Sequence, residues 1–461
     1  MSTMEAYSLS QCTNGRLLTT DKRKKHDPMM YGIDRLADEI LIVILSRLTL
    51  KEAVRASVIS RGWRYLWQFT SGRLELKWNS KCRRTEFVRW VDQVVKLHQG
   101  PSVDEFIVHC HTMGLINADS ISNWVHFAVQ KDVRVFDLAI SGNDFPDLDK
   151  FLSISNALKS RRNGFFSLTS LKLDHANVKD EMIEYLLANC PHLEHLCIKY
   201  ERYLKNLNVV CPSLKSLVIH YCSALETLTI SATNLVYFEF GEHPAKRPEA
   251  DLQLQNVPLL SEFKLQAALC VDVFFLAQGH PKYSHLKNLL ERVHLHVPIT
   301  APVFTEHILR IPPLQYRCLK HLELFLNTAG GDSLLFFVFF TLACPFLSRL
   351  NIELHYCLAA PKERTVSALH SYKRHQKDLA VCQHQHLKVV KLINFACFKS
   401  EFRFALALLQ IANSLEKMVI KPGPGKFSFD LMPREPRYLR VRERAKQLEA
   451  NLPHGAKLLI L

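Results

Sequence analysis

A short pattern of apolar positions recurs along most of the chain: an apolar residue, two residues of any kind, an apolar residue, one residue of any kind, and a third apolar residue. Ten copies begin at Leu168, Leu193, Leu214, Leu235, Leu260, Leu290, Leu319, Leu347, Leu387 and Leu415, and looser copies begin at Val103 and Val133. The starts at 168, 193, 214, 235 and 260 are 25, 21, 21 and 25 residues apart, a period typical of solenoid repeats. The pattern therefore predicts a stack of short repeats.

The template also predicts what each repeat contributes. Leucine-rich repeats of this period place a short parallel strand on the inner wall of a curved solenoid and bury the template leucines between turns, so the predicted fold class is α/β. A Cys-Pro pair precedes the leucine in three repeats, at Cys190, Cys211 and Cys344, and marks the end of the returning segment. An extra copy at Leu225 lies 11 and 10 residues from its neighbours and predicts an outer-wall strand, because so few residues cannot complete a circuit.

Residues 34–67 carry a different pattern, with apolar residues at helical spacing in three short bursts. The first predicted helix starts near Asp38 and carries Ile40, Leu41, Ile44 and Leu45. The second has Thr49 as its N-cap, and Glu52 three residues later can return a hydrogen bond to the cap's backbone amide, as in a capping box. The third predicted helix has Ser60 as its cap.

The third burst reads SRGWRYLW, a composition that fits either stacking on nucleic acid or packing against protein. At 100° per residue, one stripe contains Trp63, Leu66 and Trp67, and the opposite side contains Arg61, Arg64 and Tyr65. We therefore expect the tryptophans to face protein and the arginines to face water.

These three helices resemble the F-box, in particular the plant pattern D-R-L-P-D-E, I-L-S-x-L and V-R-x-S-V-L-S-x-x-W-R-x-L-W. The matching segments are residues 34–39, 44–48 and 54–67. Two positions depart from the pattern: Ala37 replaces the family's proline, and Gly62 stands where lysine or arginine is usual. Glycine costs about 1 kcal/mol of helix propensity. We expect these departures to weaken adaptor docking at most, because neither removes an apolar contact.

The C-terminal segment is similar to the FBD module that follows leucine-rich repeats in plant F-box proteins. The likeness rests on the H-L-K-x-V start at His386, the Asn394-Phe395 pair, Glu401, an apolar helix to Ile411 and a strand over residues 415–420. The resemblance predicts this order: a disordered basic tail (1–29), an F-box (30–70), a leucine-rich-repeat solenoid (71–380) and an FBD-like module (381–455).

The resemblance implies the substrate-recognition subunit of an SCF-type (Skp–cullin–F-box) ubiquitin ligase, a non-catalytic role. The F-box would dock on a Skp-like adaptor, and through it on cullin and RING subunits, while the repeats bind a target protein for ubiquitination and proteasomal degradation. The expected adaptor-binding residues are Leu36, Ala37, Ile40, Leu41, Ile44, Leu45, Leu48, Val54, Val58, Trp63 and Trp67. The expected location is the nucleus, the cytoplasm or both.

Side chains alternate along a strand, so the template positions between the buried residues point to the inner wall. These positions hold Lys172, Asp174, His195, Lys199, His220, Tyr237, Glu239, Glu262, Lys264, His294, His296, His321, Glu323, Phe325, Arg349, Asn351, Glu353 and Lys391. The candidate target-binding set within them is Lys172, His195, Lys199, His220, Tyr237, Glu239, Lys264, His321, Phe325, Arg349 and Glu353. This wall mixes charges with aromatic residues, as a protein-binding surface does, and we expect no continuous basic stripe for a phosphate backbone.

Composition leaves a question about charge. Lys and Arg number 59 against 44 Asp and Glu, and the formal charge of +15 favours acidic partners or nucleic acid, although a solvated surface explains the same excess. The KRKK run at residues 22–25 fits a nuclear import signal or a solvated tail.

Thirteen cysteines without a secretory signal fit a reducing compartment and no disulfide framework. The most apolar run, residues 334–344, is 11 residues long and predicts a buried segment, since a bilayer span needs about 20.

Metal and catalytic sites find little support. Cys190, His192, His195 and Cys197 are zinc-ligand types within eight residues, but the template puts them in a turn and on a strand face, where they do not converge. The Cys/His cluster at residues 382–386 has no evident fourth ligand, and GPGKF at residues 423–427 lacks the Ser or Thr of a phosphate loop. We therefore expect no metal, no cofactor, no active site and no membrane anchor.

Two other functions stay open. One is a nucleic-acid-associated basic scaffold, which the net charge and KRKK favour, and which predicts binding that falls steeply with salt. The mixed charge of the inner wall argues against it. The other is a repeat-based protein-binding module whose F-box is inactive because of Ala37 and Gly62. In that case adaptor binding fails while the solenoid still folds.

Overall fold

The fold is described from a computed structural model of the chain. The described residues are 36–59, 63–80, 83–111, 118–141, 165–176, 178–241, 250–266, 288–298, 316–328, 334–356, 383–423 and 434–461. They belong to two compact units, the first comprising residues 1–218 and 222–232 and the second residues 219–221 and 233–461. The predicted basic tail, the first residues of the F-box pattern (30–35) and residues 60–62 lie outside the described residues.

The first unit begins with the predicted helices α1 (Asp38–Ser46) and α2 (Leu50–Ile59). The capping box at the start of α2 is confirmed. Thr49 donates to Glu52 Oε2 from its backbone N (2.9 Å) and from Oγ1 (2.8 Å), and the backbone N of Glu52 donates to Thr49 Oγ1 (3.3 Å). These hydrogen bonds lower the pKa of Glu52 below its ordinary value. The boundary of α2 was therefore predictable from four residues of sequence.

The third F-box helix differs from the prediction. Within the described residues it is a four-residue 3₁₀-helix (Leu66–Phe69) rather than an α-helix. The carbonyl of Gln68 accepts hydrogen bonds from the backbone N of Gln99 (2.7 Å) and of Gly100 (2.9 Å), so it is engaged by the following segment rather than by a continuing helix. A tertiary contact thus ends the helix early.

The inward stripe of this segment is confirmed. Trp67 is fully buried, and Trp63 and Leu66 are 9% and 7% exposed, whereas Arg64 and Tyr65 are more exposed. The indole nitrogens of both tryptophans are buried without a hydrogen-bond partner, so these side chains contribute apolar packing. Trp63, Leu66 and Trp67 are therefore part of a protein core and not of a stacking patch.

Parallel strands joined by helices make up the rest of the first unit, as the α/β prediction requires. Strands that pair in chain order are β1 (Arg73–Lys77), β2 (Glu105–His111), β3 (Val135–Ser141), β4 (Ser170–Asp174) and β5 (His195–Lys199). The helices between them are α3 (Arg84–Leu97), α4 (Ala118–Gln130) and α5 (Asp180–Asn189). A second sheet pairs β6 (Asn206–Val210) in parallel with β8 (Thr227–Ser231). Because β8 is the extra template copy, its separate placement is confirmed.

The second unit repeats the parallel arrangement. The boundary between the units falls inside β7 (Ser216–His220). Strands that pair in the second unit are β9 (Tyr237–Gly241), β11 (Glu262–Gln266), β12 (Arg292–Pro298), β13 (His321–Thr328), β14 (Arg349–Tyr356), β15 (Val389–Phe395), β16 (Lys417–Pro422) and β17 (Lys457–Ile460). The other elements are β10 (Asp251–Asn256), α6 (Leu335–Leu342), α7 (Lys399–Ile411), α8 (Arg434–Lys446) and a 3₁₀-helix (Gln447–Asn451). The FBD-like segment therefore adds β15 and β16 to the sheet of the repeats.

Each repeat turns into its strand in the same way. In seven copies the backbone N of the first template leucine donates to the carbonyl three residues earlier, at 2.9 to 3.4 Å. That earlier residue is buried, and Cys190, Cys211 and Cys344 occupy it, which explains the Cys-Pro pairs. His384 occupies the same position before Leu387, where its ring Nδ1 accepts the leucine N–H at 3.1 Å. The cysteines and His384 are thus core residues of the turns.

The F-box is attached to the first strand by polar contacts. Ser46 Oγ accepts the backbone N–H of Ser71 at 3.1 Å, and a Cβ at Gly72 would lie 2.1 Å from the carbonyl oxygen of Ser46, so this position requires glycine. His98 Nε2 lies 2.8 Å from the carbonyl oxygen of Thr70. Burial lowers the pKa of His98 to about 4, so the ring is neutral and donates from Nε2. The orientation of α1 on the first unit is therefore held by backbone groups.

The apolar run at residues 334–344 contains α6, and most of its described side chains are buried as predicted, Phe337, Val338 and Thr341 completely. Among the described helices, none combines the length and apolar character needed to cross a bilayer.

Candidate protein-interaction surfaces

An apolar stripe is exposed on α1. Ile40 and Val43 are 49% and 59% exposed, and Leu36 and Ile44 are partly exposed beside them. Ile40, Val43 and Ile44 fall within about 100° of one another at 100° per residue, so they form one continuous surface, and Leu36 lies just before the helix. The opposite side of α1 carries Leu41 and Leu45, which are buried. Exposed β-branched side chains at helical spacing are what a partner helix or groove can cover.

The predicted adaptor-binding residues divide between this surface and the core below it. Those with exposed or partly exposed side chains are Leu36, Ala37, Ile40, Ile44 and Leu48. Those that are buried in the chain are Leu41, Leu45, Val54, Trp63 and Trp67. The side chain of Val58 lies outside the described residues. The buried group holds the surface in place, and direct contact falls to the exposed group.

Val43 was missed by the sequence reasoning, although it lies three residues after Ile40 on the same helix. The signal was available in the spacing.

Ala37, the departure from the plant pattern, is the N-cap of α1, and its carbonyl accepts the backbone N–H of Ile40 (3.0 Å) and of Leu41 (3.2 Å). The helix therefore begins at Asp38 without the family's proline.

The strand positions between the buried residues form the open face of each sheet. In the first unit, Lys172 lies opposite Cys197, and Lys199 lies opposite Asp174. The ring of His175 stacks on Tyr200 with centroids 4.5 Å apart, and both residues have φ 55°. This left-handed conformation is uncommon for aromatic residues, and sequence reasoning did not find the pair because neither belongs to the template. Of the candidate set, Lys172, His195 and Lys199 belong to this unit.

In the second unit, four of the predicted target-binding residues come together around Glu239. Its Oε1 lies 3.1 Å from His220 Nε2 and 2.6 Å from Lys264 Nζ, and its Oε2 accepts the Tyr237 hydroxyl at 2.5 Å. Burial raises the pKa of Glu239, but the hydrogen bonds from His220, Lys264 and Tyr237 outweigh it and hold the pKa well below its ordinary value. Glu239 is therefore an ionised carboxylate whose oxygens are already engaged.

The neighbouring carboxylates on this open face are engaged in the same way. His294 Nε2 lies 3.1 Å from Glu262 Oε1, and its Nδ1 lies 3.0 Å from Glu323 Oε2. Asn351 donates to the other oxygen of Glu323 at 2.9 Å. Glu353 lies 3.2 Å from His355 Nε2.

Aromatic stacking accompanies this polar network. The rings of His296 and Phe325 are 4.2 Å apart and nearly parallel. Burial lowers the pKa of His296 to about 4, so this ring is neutral at physiological pH. The open face thus combines a satisfied polar network with an aromatic pair, as the mixed-wall prediction described.

The register of the second unit places several basic residues in one row, although the row is not continuous. The first residues of β12, β13 and β14 are Arg292, His321 and Arg349, and the register places them side by side. The same row continues across β15, β16 and β17 as Val389, Lys417 and Lys457. Only His321 and Arg349 of these were nominated from sequence, although Arg292 and Lys417 occupy the same template position, two residues after the first leucine.

The FBD-like segment contains a buried carboxyl. Tyr356 donates from its hydroxyl to Glu401 Oε1 (2.7 Å), and the backbone N of Ala396 and of Phe398 donate to Glu401 Oε2 (3.1 and 3.3 Å). Burial raises the pKa of Glu401 to about 7 against the effect of these hydrogen bonds. The bond from the backbone N of Phe398, the N-cap of α7, also holds the start of that helix. The Glu401 of the FBD-like pattern is therefore a structural residue.

The weighed zinc ligands do not converge. Cys190 is buried in a turn, the His192 ring packs edge-on against Phe166 at 5.4 Å, and His195 is exposed on β5. Across the described ranges, no three His, Cys, Asp or Glu side chains are grouped so that they could hold a metal ion.

Comparison with known proteins gives two family matches. Residues 33–70 match the F-box domain. Residues 94–429 match a family described as At1g61320/AtMIF1, LRR domain. The second match includes β15 and β16, in agreement with their place in the sheet of the repeats.

Relatives from Arabidopsis thaliana show the same combination of domains in their names. The chain is 25% identical to F-box/FBD/LRR-repeat protein At1g13570 over 449 residues, which cover 90% of this chain and 97% of the relative. It is 30% identical to F-box/LRR-repeat protein At3g58900 over 249 residues, 47% of this chain and 75% of the relative. It is 30% identical to F-box/LRR-repeat protein At3g03360 over 200 residues, 38% of this chain and only 40% of that relative's length.

Proposed function

The chain belongs to the F-box proteins with an LRR domain of the At1g61320/AtMIF1 family, and from this premise we propose that it is the target-binding subunit of an SCF-type ubiquitin ligase. In this role the F-box docks on a Skp-like adaptor, and through it on cullin and RING subunits. The open face of the repeats holds a target protein for ubiquitination. The chain itself supplies binding and position, and the chemistry belongs to other subunits.

The exposed stripe on α1 is the observation that carries this proposal. Fully burying one valine or isoleucine side chain contributes about 1.5 to 3 kcal/mol, and Ile40 and Val43 leave about half of their surface uncovered. The stripe lies inside the segment that matches the F-box domain. Contacts from Ser71 and His98 fix its direction on the first unit. A partner of complementary apolar surface would gain from covering it.

Co-expression with a Skp-like adaptor tests the docking role. The double variant Ile40→Asp/Val43→Asp places two charges in the stripe, and we expect co-purification of the adaptor to fall at least tenfold. Changing Leu45 would be a poorer test, because this side chain is fully buried and its loss disrupts the core.

Arg89→Asp is the matched control, since Arg89 is exposed on α3 outside the F-box match. It is expected to leave co-purification unchanged. Circular dichroism of both variants checks that the helices and strands remain. Undiminished co-purification of the Ile40/Val43 variant would show that α1 is not the docking surface. Failure of the unmodified chain to bind, with its repeats folded, would favour the inactive F-box.

The place of action is part of the same proposal. Thirteen cysteines, of which the eight described ones are free thiols, fit a reducing compartment such as the nucleus or cytoplasm. Imaging of a fluorescent fusion, with and without KRKK at residues 22–25, tests whether that run directs nuclear import.

A further inference from the structure

The basic row of the second unit has a defined geometry. Arg292, His321 and Arg349 are consecutive neighbours across β12, β13 and β14. Two more basic residues, Lys417 and Lys457, follow on β16 and β17. Neighbouring strands lie about 4.8 Å apart, so the six positions of the row extend over about 24 Å. A peptide of seven or eight extended residues has this length.

Among the described residues, the cations of this row have no hydrogen-bond or ion-pair partner, although Glu262 on β11 is the register neighbour of Arg292. Arg292, Arg349, Lys417 and Lys457 are exposed. Other surface cations near the row are paired: Lys320 lies 2.9 Å from Glu291, and Lys388 lies 2.9 Å from Glu416. The row therefore differs from its surroundings in being both basic and unpaired.

The acidic residues of the open face bond to other groups of that face rather than to the row. Glu239, Glu262, Glu323 and Glu353 each accept hydrogen bonds from histidine, lysine or amide groups of the same face. The positive field is felt inside the row. Besides burial, the charges of Arg292 and Arg349 lower the pKa of His321 below its ordinary value. An anion placed between these groups would relieve this repulsion.

We propose that an acidic segment of the target polypeptide binds along this row, with its anionic groups at Arg292, His321 and Arg349. The proposal rests on the proposed function, in which the open face holds the target. Arginine suits this role because its planar guanidinium donates two parallel hydrogen bonds to a carboxylate or phosphoryl group. Lys417 and Lys457 extend the attraction along the segment, and carboxylate and phosphoryl groups share the required chemistry.

The surroundings favour a polypeptide over a nucleic acid. Glu323 follows His321 by two residues on β13, and Glu353 follows Arg349 by four residues on β14. Two residues of a strand advance about 7 Å and four about 14 Å, so Glu323 in particular would face a phosphate backbone laid beside the row and repel it. A polypeptide can place isolated acidic side chains at the row and neutral ones opposite the glutamates.

Fluorescence anisotropy with defined probes tests the proposal on the full-length chain. The probe is a labelled peptide of 12 residues with glutamate at alternate positions, and a peptide with glutamine at those positions is its control. A third peptide carries phosphoserine instead of glutamate and shows which anion binds better. We expect the acidic probes to bind, with Arg292→Gln/Arg349→Gln lowering the affinity at least tenfold.

The matched control is Lys320→Gln/Lys388→Gln. It removes the same total charge from positions one residue outside the row, where each lysine is paired with a glutamate. This variant is expected to change the affinity less than twofold. Equal losses in the two double variants would reduce the effect to net charge and overturn the proposal, as would no loss in either.

A labelled 12-nucleotide single strand tests the other class of partner, a nucleic acid. If it bound the unmodified chain more tightly than the acidic peptides, and lost binding in Arg292→Gln/Arg349→Gln, the row would be a nucleic-acid site instead. Adaptor co-purification separates this result from the proposed function, because Arg292 and Arg349 are far along the chain from the F-box and their loss should leave docking unchanged. Peptide binding without adaptor binding would therefore count against the ligase role alone.

Discussion

The stripe on α1 and the open face of the second unit are both surfaces suited to protein partners, but they are built in opposite ways. The stripe consists of a few apolar side chains on one helix, within nine residues of sequence. The open face is polar, and its neighbours come from different repeats. A helix surface is set by local spacing, whereas a sheet face is set by register between distant segments. The first can be read from sequence, and the second needs the fold.

The largest expected difference concerns the core below the stripe. Leu45→Ala should destabilise the F-box by about 2 to 5 kcal/mol, because Leu45 is fully buried and its truncation leaves a cavity. Ile40→Ala, on the exposed side of the same helix, should change the free energy of unfolding by less than about 0.5 kcal/mol. Hydrogen exchange of α1 and α2 measures both. Similar effects of the two variants would mean that the exposed and buried sides of α1 are not distinct in solution.

A smaller effect should appear at the junction that orients the stripe. The pKa of His98 is about 4 in the folded chain against an ordinary value of 6.5, so the unfolded chain takes up a proton between these values and the folded chain does not. The contribution of His98 to the free energy of unfolding is fully present above about pH 6.5. It is lost as the pH falls towards 4, by up to about 1.4 kcal/mol per pH unit. Hydrogen exchange of β1 against pH measures it.

His98→Gln is the control for this pH dependence, since glutamine can donate to Thr70 and does not titrate. The hydrogen-exchange protection of β1 in this variant should stay constant between pH 6.5 and 4. If the protection of the unmodified chain were equally independent of pH, His98 would not be a neutral buried imidazole in the folded protein.

The smallest of the three effects lies on the open face. Glu239→Gln keeps the shape of the side chain but removes the charge that His220, Lys264 and Tyr237 surround. We expect the free energy of unfolding to fall by about 1 to 2 kcal/mol. This is at the lower end for hydrogen bonds to charged groups, because Lys264 keeps 31% of its side chain exposed. Urea unfolding followed in the second unit measures it.

The pH dependence of this network has a defined sign. The pKa of Glu239 is held well below its ordinary value of 4.5, so its stabilising effect is present above about pH 4.5 and is lost as the pH falls further. The Glu239→Gln variant should lack this part of the acid sensitivity. Lys320→Gln, which disrupts only an exposed pair, should retain it.

Sequence predicted the repeated strands well because each is marked by a local pattern. The copies at Leu168, Leu193, Leu319 and Leu387 all lead into strands of parallel sheets, and the copy at Leu225 leads into a separate one. The strands β1, β10 and β17 were missed because they lack the template, whereas β6 follows a copy at Leu204 that was overlooked. The cysteines before the template leucines are explained by their burial in the turns. This could be recognised only once the structure showed that the turns repeat.

The candidate sites were predicted less completely, for two physical reasons. Burial separated Leu41 and Leu45 from Ile40, although all three are apolar and adjacent on one helix. Register brought Arg292 beside His321, although tens of residues separate them in the chain. The first distinction depends on what packs behind the helix, and the second on which residue of each repeat begins its strand.

The buried cysteines of the turns give the chain a set of natural reporters. Cys190, Cys211 and Cys344 are at most 2% exposed, and burial raises the pKa of Cys190 to about 12, so their thiols react with alkylating reagents only when the surrounding turn opens. Cys211 lies in the first unit and Cys344 in the second. The order in which these thiols become labelled in rising urea would therefore map which repeats open first, with no substitution in the protein.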